Sequence, residues 1–257
     1  MQPIQLTTFP LLVHPYLVHF QTMRYGGIST GEYASLNVSF SVGDKYENVM
    51  HNRQLIASAI GCELTNFVFC RQIHSDGVYK VTENDLGRGA DFLQHNTIQD
   101  VDALITNVPK AILCIKTADC LPVFIYAPTH RAVGIIHAGW RGTIRNIVKK
   151  TICQMGVHYG VRAEELLAVV GVGCGVCCYE VGEKVAKQFD NNYIYPYGNS
   201  LHLDLKCAIK DQLISTGVRS SNIHISTTCS ICNSADYFSS RAQKGAGGYG
   251  LAAIGLL

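Results

Sequence analysis

Three short stretches of this chain carry residue types that can hold a metal ion or start nucleophilic chemistry. They are Gln72-Ile73-His74-Ser75-Asp76-Gly77, Thr117-Ala118-Asp119-Cys120-Leu121-Pro122 and His137-Ala138-Gly139-Trp140-Arg141-Gly142. Thiolate sulfur and imidazole nitrogen are donors that zinc and copper prefer. Three protein ligands with a fourth position open are the arrangement of a catalytic metal site, not of a closed structural one. Two of the donors can be related from sequence. The apolar runs Leu121 to Tyr126 and Ala132 to His137 flank Ala127-Pro128-Thr129-His130, which reads as a four-residue hairpin turn. A turn symmetric about Pro128 and Thr129 sets Tyr126 opposite Arg131 and Cys120 opposite His137, with Cβ atoms about 4.5–5.5 Å apart. A loop of another length shifts that register. His74 is the natural third donor, because it stands between a strand-like run and the turn at Gly77. A lone histidine or cysteine in an apolar strand is more often packing, so residue types alone leave both readings open.

A second cysteine pattern competes. Cys174-Gly175-Val176-Cys177 and Cys229-Ser230-Ile231-Cys232 are two C-x-x-C pairs that could form a structural zinc site of four cysteines. Their separation is longer than in ordinary zinc ribbons, and eleven cysteines produce such spacings by coincidence. Coincidence is the reading taken.

The elements that must position these residues follow from apolar periodicity and from glycine stops. Leu11 to Phe20 reads as extended, ahead of the turn Arg24-Tyr25-Gly26-Gly27. Helices are expected over Glu47 to Ile60, Thr143 to Met155 (ended by Gly156), Glu183 to Phe189 and Leu203 to Thr216. Strands are expected over Phe67 to Ile73, Gly77 to Val81, Ala103 to Thr106, Ala111 to Lys116, Leu121 to Tyr126, Ala132 to His137, Leu167 to Gly171 and Ile223 to Ser226. A glycine-rich tail from Gly245 to Gly250 follows. Strands outnumber helices without a regular βαβ repeat, which gives an α+β or mixed α/β domain.

With 257 residues, 47% hydrophobic and 16% charged, the chain can bury a large core but is short for two domains. Residues 1–257 are therefore read as one catalytic domain. Its net charge of +2 is spread without a basic stripe, which excludes a surface that tracks a nucleic-acid backbone. The start Met1-Gln2-Pro3-Ile4-Gln5 lacks the pattern of a secretory signal. The longest apolar runs, such as Leu121 to Ala127, fall far short of the roughly 20 residues of a membrane helix. A cytoplasmic protein with no membrane association is expected. An odd count of 11 cysteines argues against a disulfide framework.

The three opening stretches together resemble the YfiH family, also called the laccase-domain or multicopper polyphenol oxidase family. Its hallmarks are, in order, Q-[VI]-H, T-A-D-C-[LV]-P and H-A-G-W-R-G. Further matches are Arg24-Tyr25-Gly26-Gly27-Ile28-Ser29 with Ala34-Ser35-Leu36-Asn37, Gly43-Asp44, Asn52-Arg53, Cys177-Cys178-Tyr179-Glu180-Val181, and Phe238-Ser239 with Arg241. The sequence departs from the pattern at Val172 and Val176, where prolines are usual, at Ser240, and at Tyr249, where a second arginine is common. These departures bear on substrate and anion contacts.

The resemblance implies a four-layer α/β/β/α sandwich, similar to that of deamidating toxins with a Cys-His pair. It implies one Zn2+ on His74, Cys120 and His137, and purine nucleosides and phosphate as substrates. The expected reactions are phosphorolysis of inosine, adenosine and methylthioadenosine, and deamination of adenosine. For deamination, Asp119 or Asp76 is placed to move a proton. Neighbouring strand residues face opposite ways, so Asp119 equally suits fixing a turn or orienting a ligand. For phosphorolysis, Arg53, Arg141 and Arg241 are candidate phosphate clamps. The Gly139–Thr143 stretch is expected to open a helix whose free N–H groups favour an anion. Trp140, the only tryptophan, suits base stacking or core packing.

Two rival readings use the same residues. One is a polyphenol oxidase carrying Cu2+, against which the absence of any His-x-His motif counts. The other is a metal-free hydrolase in which Cys120 and His137 form a nucleophilic dyad. No charge or heptad pattern points to an obligate partner, and a monomer or small homo-oligomer is expected.

Overall fold

The computed structural model describes residues 3–91 and 96–257. Met1 and Gln2, part of the stretch inspected for a signal, lie outside the described residues. So do positions 92–95 of the expected domain.

Runs of β-branched and aromatic residues build two large mixed sheets. The first has the order β1 (Leu6–Thr7), β2 (Leu17–Thr22), β14 (Gly250–Leu256), β6 (Ile112–Thr117) and β3 (Phe67–Phe69). The second has the order β13 (Ile223–Ile225), β9 (Leu167–Val170), β7 (Leu121–Ala127), β8 (Ala132–Ala138), β5 (Ala103–Thr106) and β4 (Val78–Lys80). A small third sheet joins β10 (Glu180–Val181), β12 (Ser200–Leu203) and β11 (Ile194–Tyr197). The helices are α1 (Tyr46–Ala59), α2 (Trp140–Ile144), α3 (Ile147–Tyr159), α4 (Glu183–Ala186) and α5 (Leu205–Ser215). None of the described helices is long and apolar enough to cross a membrane.

Strand side chains alternate between faces, and here both faces are apolar. Leu113, Ile115, Phe124, Tyr126, Val133, Ile135, Ala252 and Ile254 pack between the two large sheets. The opposite parity of β7 and β8 (Val123, Ile125, Ala132, Ile136) packs against Val148, Ile152 and Met155 of α3 and Ile209 and Leu213 of α5. The outer parity of the first sheet (Ile112, Cys114, Leu251, Ala253) packs against Ile56 and Ala57 of α1. The order is helix, sheet, sheet, helix: the mixed α/β, four-layer sandwich expected.

Several details differ from expectation. Pro122 pairs with His137 and Ala127 with Ala132, so the hairpin turn is Pro128 to Arg131 and the register is offset by two residues. Arg131, with φ of 45°, closes the turn. An offset of two preserves the face of every side chain, because the strand period is two. Cys120 and His137 are therefore diagonal neighbours on one face, not directly opposed. The helix expected over Thr143 to Met155 is broken: Asn146 takes a left-handed conformation (φ 60°) between α2 and α3. Gly156 continues α3, and Gly160, also left-handed, ends it. The strand expected to run to Ile73 stops at Phe69, and Leu203 belongs to β12 instead of opening α5. The tail, read only as glycine-rich, continues into β14, which joins β2 to β6.

The connection from β6 to β7 is the decisive local feature. In three residues, Ala118-Asp119-Cys120, the chain leaves the first sheet and enters the second. So short a crossing forces a sharp bend, and Asp119 takes it with φ of 89°. A side chain in that region costs on the order of 1–3 kcal/mol. The cost is offset by contacts to all three of its oxygens. Ser230 Oγ donates to Oδ1 (2.7 Å), the Arg241 amide to Oδ2 (2.8 Å) and the Cys174 amide to the carbonyl (2.7 Å).

Candidate metal centre

The crossing delivers Cys120 to the mouth of the gap between the sheets. His137 reaches the same mouth from the inter-sheet parity of β8. His74 arrives from the loop after β3, with a left-handed φ of 58°, a conformation in which histidine is over-represented among non-glycine residues. Their donor atoms all lie within 4.8 Å of one another. The His74 and His137 rings stand 4.9 Å apart between centroids at 70°.

Asp102, immediately before β5, organises this group. It is fully buried. His137 Nδ1–H donates to its Oδ1 at 2.8 Å, and the His74 amide donates to the same oxygen at 3.0 Å. The other oxygen accepts from the amides of Ile73 (3.2 Å) and Ser75 (2.6 Å) and from Ser75 Oγ (2.8 Å). One carboxylate thus fixes the loop that carries His74 and the tautomer of His137, leaving His137 Nε2 for the centre. Burial would raise the Asp102 carboxyl, but His137 and Ser75 outweigh it and hold it down to about 2.

Electrostatics follow from the same contacts. Burial pushes the Cys120 thiol up, yet His137 and His74 beside it bring it down to about 6. Burial disfavours a charged His137, yet the Cys120 sulfur and Asp102 raise it to about 9. Around neutral pH, Cys120 is a thiolate facing an imidazolium. A thiolate and two imidazoles converging from separate segments, one imidazole oriented by a carboxylate, fit a zinc or copper ion in donor chemistry and in outer hydrogen bonding.

Gly139 closes one side. A Cβ there would sit 3.1 Å from Cys120 Sγ and 3.2 Å from His74 Cδ2. Its φ of −85° is open to any residue, so the requirement is for space alone. Gly139→Ala is expected to lower metal affinity by roughly tenfold, the scale of a disturbed ligand orientation. Zinc retention against a chelator, compared with wild type, checks this; unchanged retention would show that the ligands yield without cost.

The centre opens into a cavity of about 300 Å³, lined also by Gln72, Lys116, Tyr179, Ser240, Arg241 and Tyr249. This lies at the lower end of small-ligand sites. Of the three arginines, only Arg241 lines it. Arg53 is buried among other partners: its guanidinium donates to the carbonyls of Val38, Gly89 and Ala90 and lies between the rings of Phe40 and Phe69. Arg141 is exposed, with its guanidinium 4.2 Å from the Trp140 ring centroid. The N–H groups expected to meet phosphate belong to α2, only five residues long, because the long helix starts later. Asp119 lines the cavity with both oxygens engaged, and Asp76 pairs with Lys150.

Asp102 and Lys116 escaped the sequence reading. Asp102 lies in Asp100-Val101-Asp102, where its neighbour Asp100 is half exposed and paired with Arg71, so residue type gave no way to choose between them. Lys116 ends an apolar run and reads as a strand boundary. Its backbone is held by Gln72, whose side-chain amide exchanges two 2.8 Å hydrogen bonds with it. Gln72 thereby extends the pairing of β3 with β6 beyond Phe69.

Residues 18–257 match the family model described as multi-copper polyphenol oxidoreductase laccase. The chain is 34% identical over 243 residues to purine nucleoside phosphorylase YlmD of Geobacillus stearothermophilus, covering 91% of this chain and 88% of that one. It is 30% identical over 230 residues to adenosine deaminase RL5 of an unknown prokaryotic organism, covering 86% and 87%. The crystal structure of YlmD from G. stearothermophilus superposes with a TM-score of 0.91 at 32% identity, covering 96% of this chain and 94% of the other.

Proposed function

The chain belongs to the multi-copper polyphenol oxidoreductase laccase family, and we propose that it is a metal-dependent purine nucleoside enzyme working as one catalytic domain over residues 1–257. Its reactions are phosphorolysis of inosine, adenosine and methylthioadenosine, and deamination of adenosine. The observation that carries this reading is one cavity with the His74–Cys120–His137 donors at its floor and two cations, Lys116 and Arg241, on its walls. The relatives named as a purine nucleoside phosphorylase and an adenosine deaminase support it.

In this reading His74, Cys120 and His137 hold a Zn2+ ion, which when bound supplies Lewis acidity at the cavity floor. The remaining work falls to the chain itself. Asp102 keeps His137 in the ligating tautomer. Lys116 and Arg241 attract phosphate; burial and the nearby Arg53 charge lower the Lys116 ammonium from its ordinary value, and an anion beside it would favour its charged form. Tyr179 and Tyr249 line the cavity and supply aromatic surface for a base. Asp119 acts as a positioning residue, since its carboxylate anchors Ser230 and the Arg241 amide.

The test is release of free base from inosine with and without phosphate, with zinc counted on the same sample. Arg241→Ala is expected to raise the KM for phosphate by about tenfold or more, the value of a charge-assisted hydrogen bond, with a smaller effect on the nucleoside. Absence of phosphate-dependent base release would sink the phosphorylase reading. A second reading, a Cys-His hydrolase without metal, is favoured by the ionised Cys120–His137 pair backed by Asp102. Negligible zinc together with thiol-dependent hydrolysis would move it to first place. A copper polyphenol oxidase is the third reading: two histidines and one cysteine suit copper as well as zinc, but the sequence has no His-x-His motif of the kind a multicopper cluster uses.

A further inference from the structure

We propose a second metal centre, a structural zinc ion held by the four thiolates of Cys177, Cys178, Cys229 and Cys232, that fixes one wall of the catalytic cavity. The two C-x-x-C motifs, whose spacing reads as coincidence in the sequence, are brought together by the fold with one change of member. Cys174 turns to the catalytic cavity, and Cys178 takes its place.

The geometry is that of a closed site. The four sulfurs all lie within 4.8 Å of one another. Cys232 Sγ is 3.5 Å from Cys177 Sγ and 3.3 Å from Cys178 Sγ. Four thiolates at the usual zinc–sulfur distance of about 2.3 Å stand about 3.8 Å apart at tetrahedral angles, so small adjustments suffice. Space is kept for them: at Gly175 a Cβ would meet Cys229 Cβ at 3.1 Å and Cys177 Sγ at 3.2 Å.

The surroundings of Cys229 suit anionic sulfur. Cys229 Sγ accepts the Gly175 amide at 3.2 Å, and the amides of Ile231 and Cys232 also donate to it. Such N–H donors pointing at sulfur stabilise charge on it. The buried Lys206 ammonium, anchored on the carbonyls of Ser226 and Thr228, adds a compensating charge that acts on Cys229 and Cys177. All four cysteines are free thiols, and Cys177 and Cys232 are exposed.

The position gives the site its purpose. Cys177 and Cys178 lie on the segment between β9 and β10, which also contributes Cys174 and Tyr179 to the cavity. Cys229 and Cys232 lie on the segment after β13, which contributes Ser240 and Arg241. A four-thiolate knot joins the two segments away from the chemistry.

Wild type, Cys232→Ser and Cys120→Ala, each loaded with Zn2+ alone and desalted, decide the matter by metal count. About two zinc ions per chain are expected in wild type and about one in each variant. Reloading with Co2+ should give the intense sulfur-to-metal absorption of four thiolates in Cys120→Ala and only the single-thiolate pattern in Cys232→Ser. If Cys232→Ser does not fold, the metal content of Cys120→Ala alone decides: zero zinc there overturns the proposal. An intact mass showing disulfides among these four cysteines, with no second zinc, also overturns it. Failure of the catalytic centre would look different, with Cys120→Ala keeping every ion that wild type holds.

Discussion

Cys120→Ala is expected to lower kcat/KM for inosine by at least about 10³-fold, a loss of about 4 kcal/mol in transition-state stabilisation, and to empty the catalytic centre of metal. The physical basis is that Cys120 is the only anionic donor among the three ligands. Without it, two neutral imidazoles must hold a dication, and the open fourth position becomes two. The fold should tolerate the change. The strained crossing at Asp119 is anchored by Ser230, Arg241 and Cys174, none of which touches the sulfur in doing so. A melting temperature near that of metal-free wild type, with activity gone, separates loss of chemistry from loss of structure. Activity that survives in the metal-free variant would exclude both the bound metal and a Cys120 nucleophile from the chemistry. The same residue gives a pH test in the metal-free protein. Its thiol is depressed from the usual 9.0 to about 6, so the thiolate is already present at neutral pH. Alkylation of Cys120, followed by peptide mass, should rise with pH around 6; a midpoint near 9 would refute the His137 and His74 pairing as its cause.

How much of this centre was legible beforehand divides along physical lines. His74, Cys120 and His137 were visible because their donor chemistry is encoded in residue type. Their convergence survived a wrong register because the offset was two, an even number on a lattice of period two. The candidate phosphate clamps were less legible. An arginine's role depends on where its long side chain reaches, and Arg53 reaches three carbonyls and two aromatic rings instead of solvent. The four-cysteine knot was half visible: the C-x-x-C spacing of Cys229 and Cys232 stands out in the sequence, but Cys178 replaces Cys174 because the turn after Gly175 decides which sulfur faces which side. β14 was missed because Ala252, Ala253 and Gly255 have weak strand preference; pairing on both edges, with β2 and β6, makes it a strand.

Asp102→Asn tests the residue that sequence could not single out. An amide cannot satisfy the donors that surround this position. If its NH2 group replaces Oδ1, it faces the His74 amide, and it also donates to His137 Nδ1. The proton of His137 must then move to Nε2, the nitrogen that faces the centre. If the NH2 group replaces Oδ2, it confronts the amides of Ile73 and Ser75. Either arrangement leaves a buried N–H without an acceptor, at about 1–3 kcal/mol. Metal affinity is expected to fall about 10–100-fold, the usual cost of losing a carboxylate behind a ligating histidine. The pH dependence has a definite sign. The folded carboxyl, at about 2, lies below its ordinary 3.8, so Asp102 contributes stability that is present above about pH 4. That contribution is lost as the pH falls through 2. It amounts to about 2 kcal/mol, of which about half is lost by pH 3, so the stability gap between metal-free wild type and variant should narrow by about 1 kcal/mol between pH 6 and pH 3. Denaturant unfolding at pH 6 and pH 3, with zinc titrations at neutral pH, gives both numbers. A variant with wild-type zinc affinity and a gap that does not change with pH would mean that Asp102 neither orients His137 nor carries its charge in the folded protein.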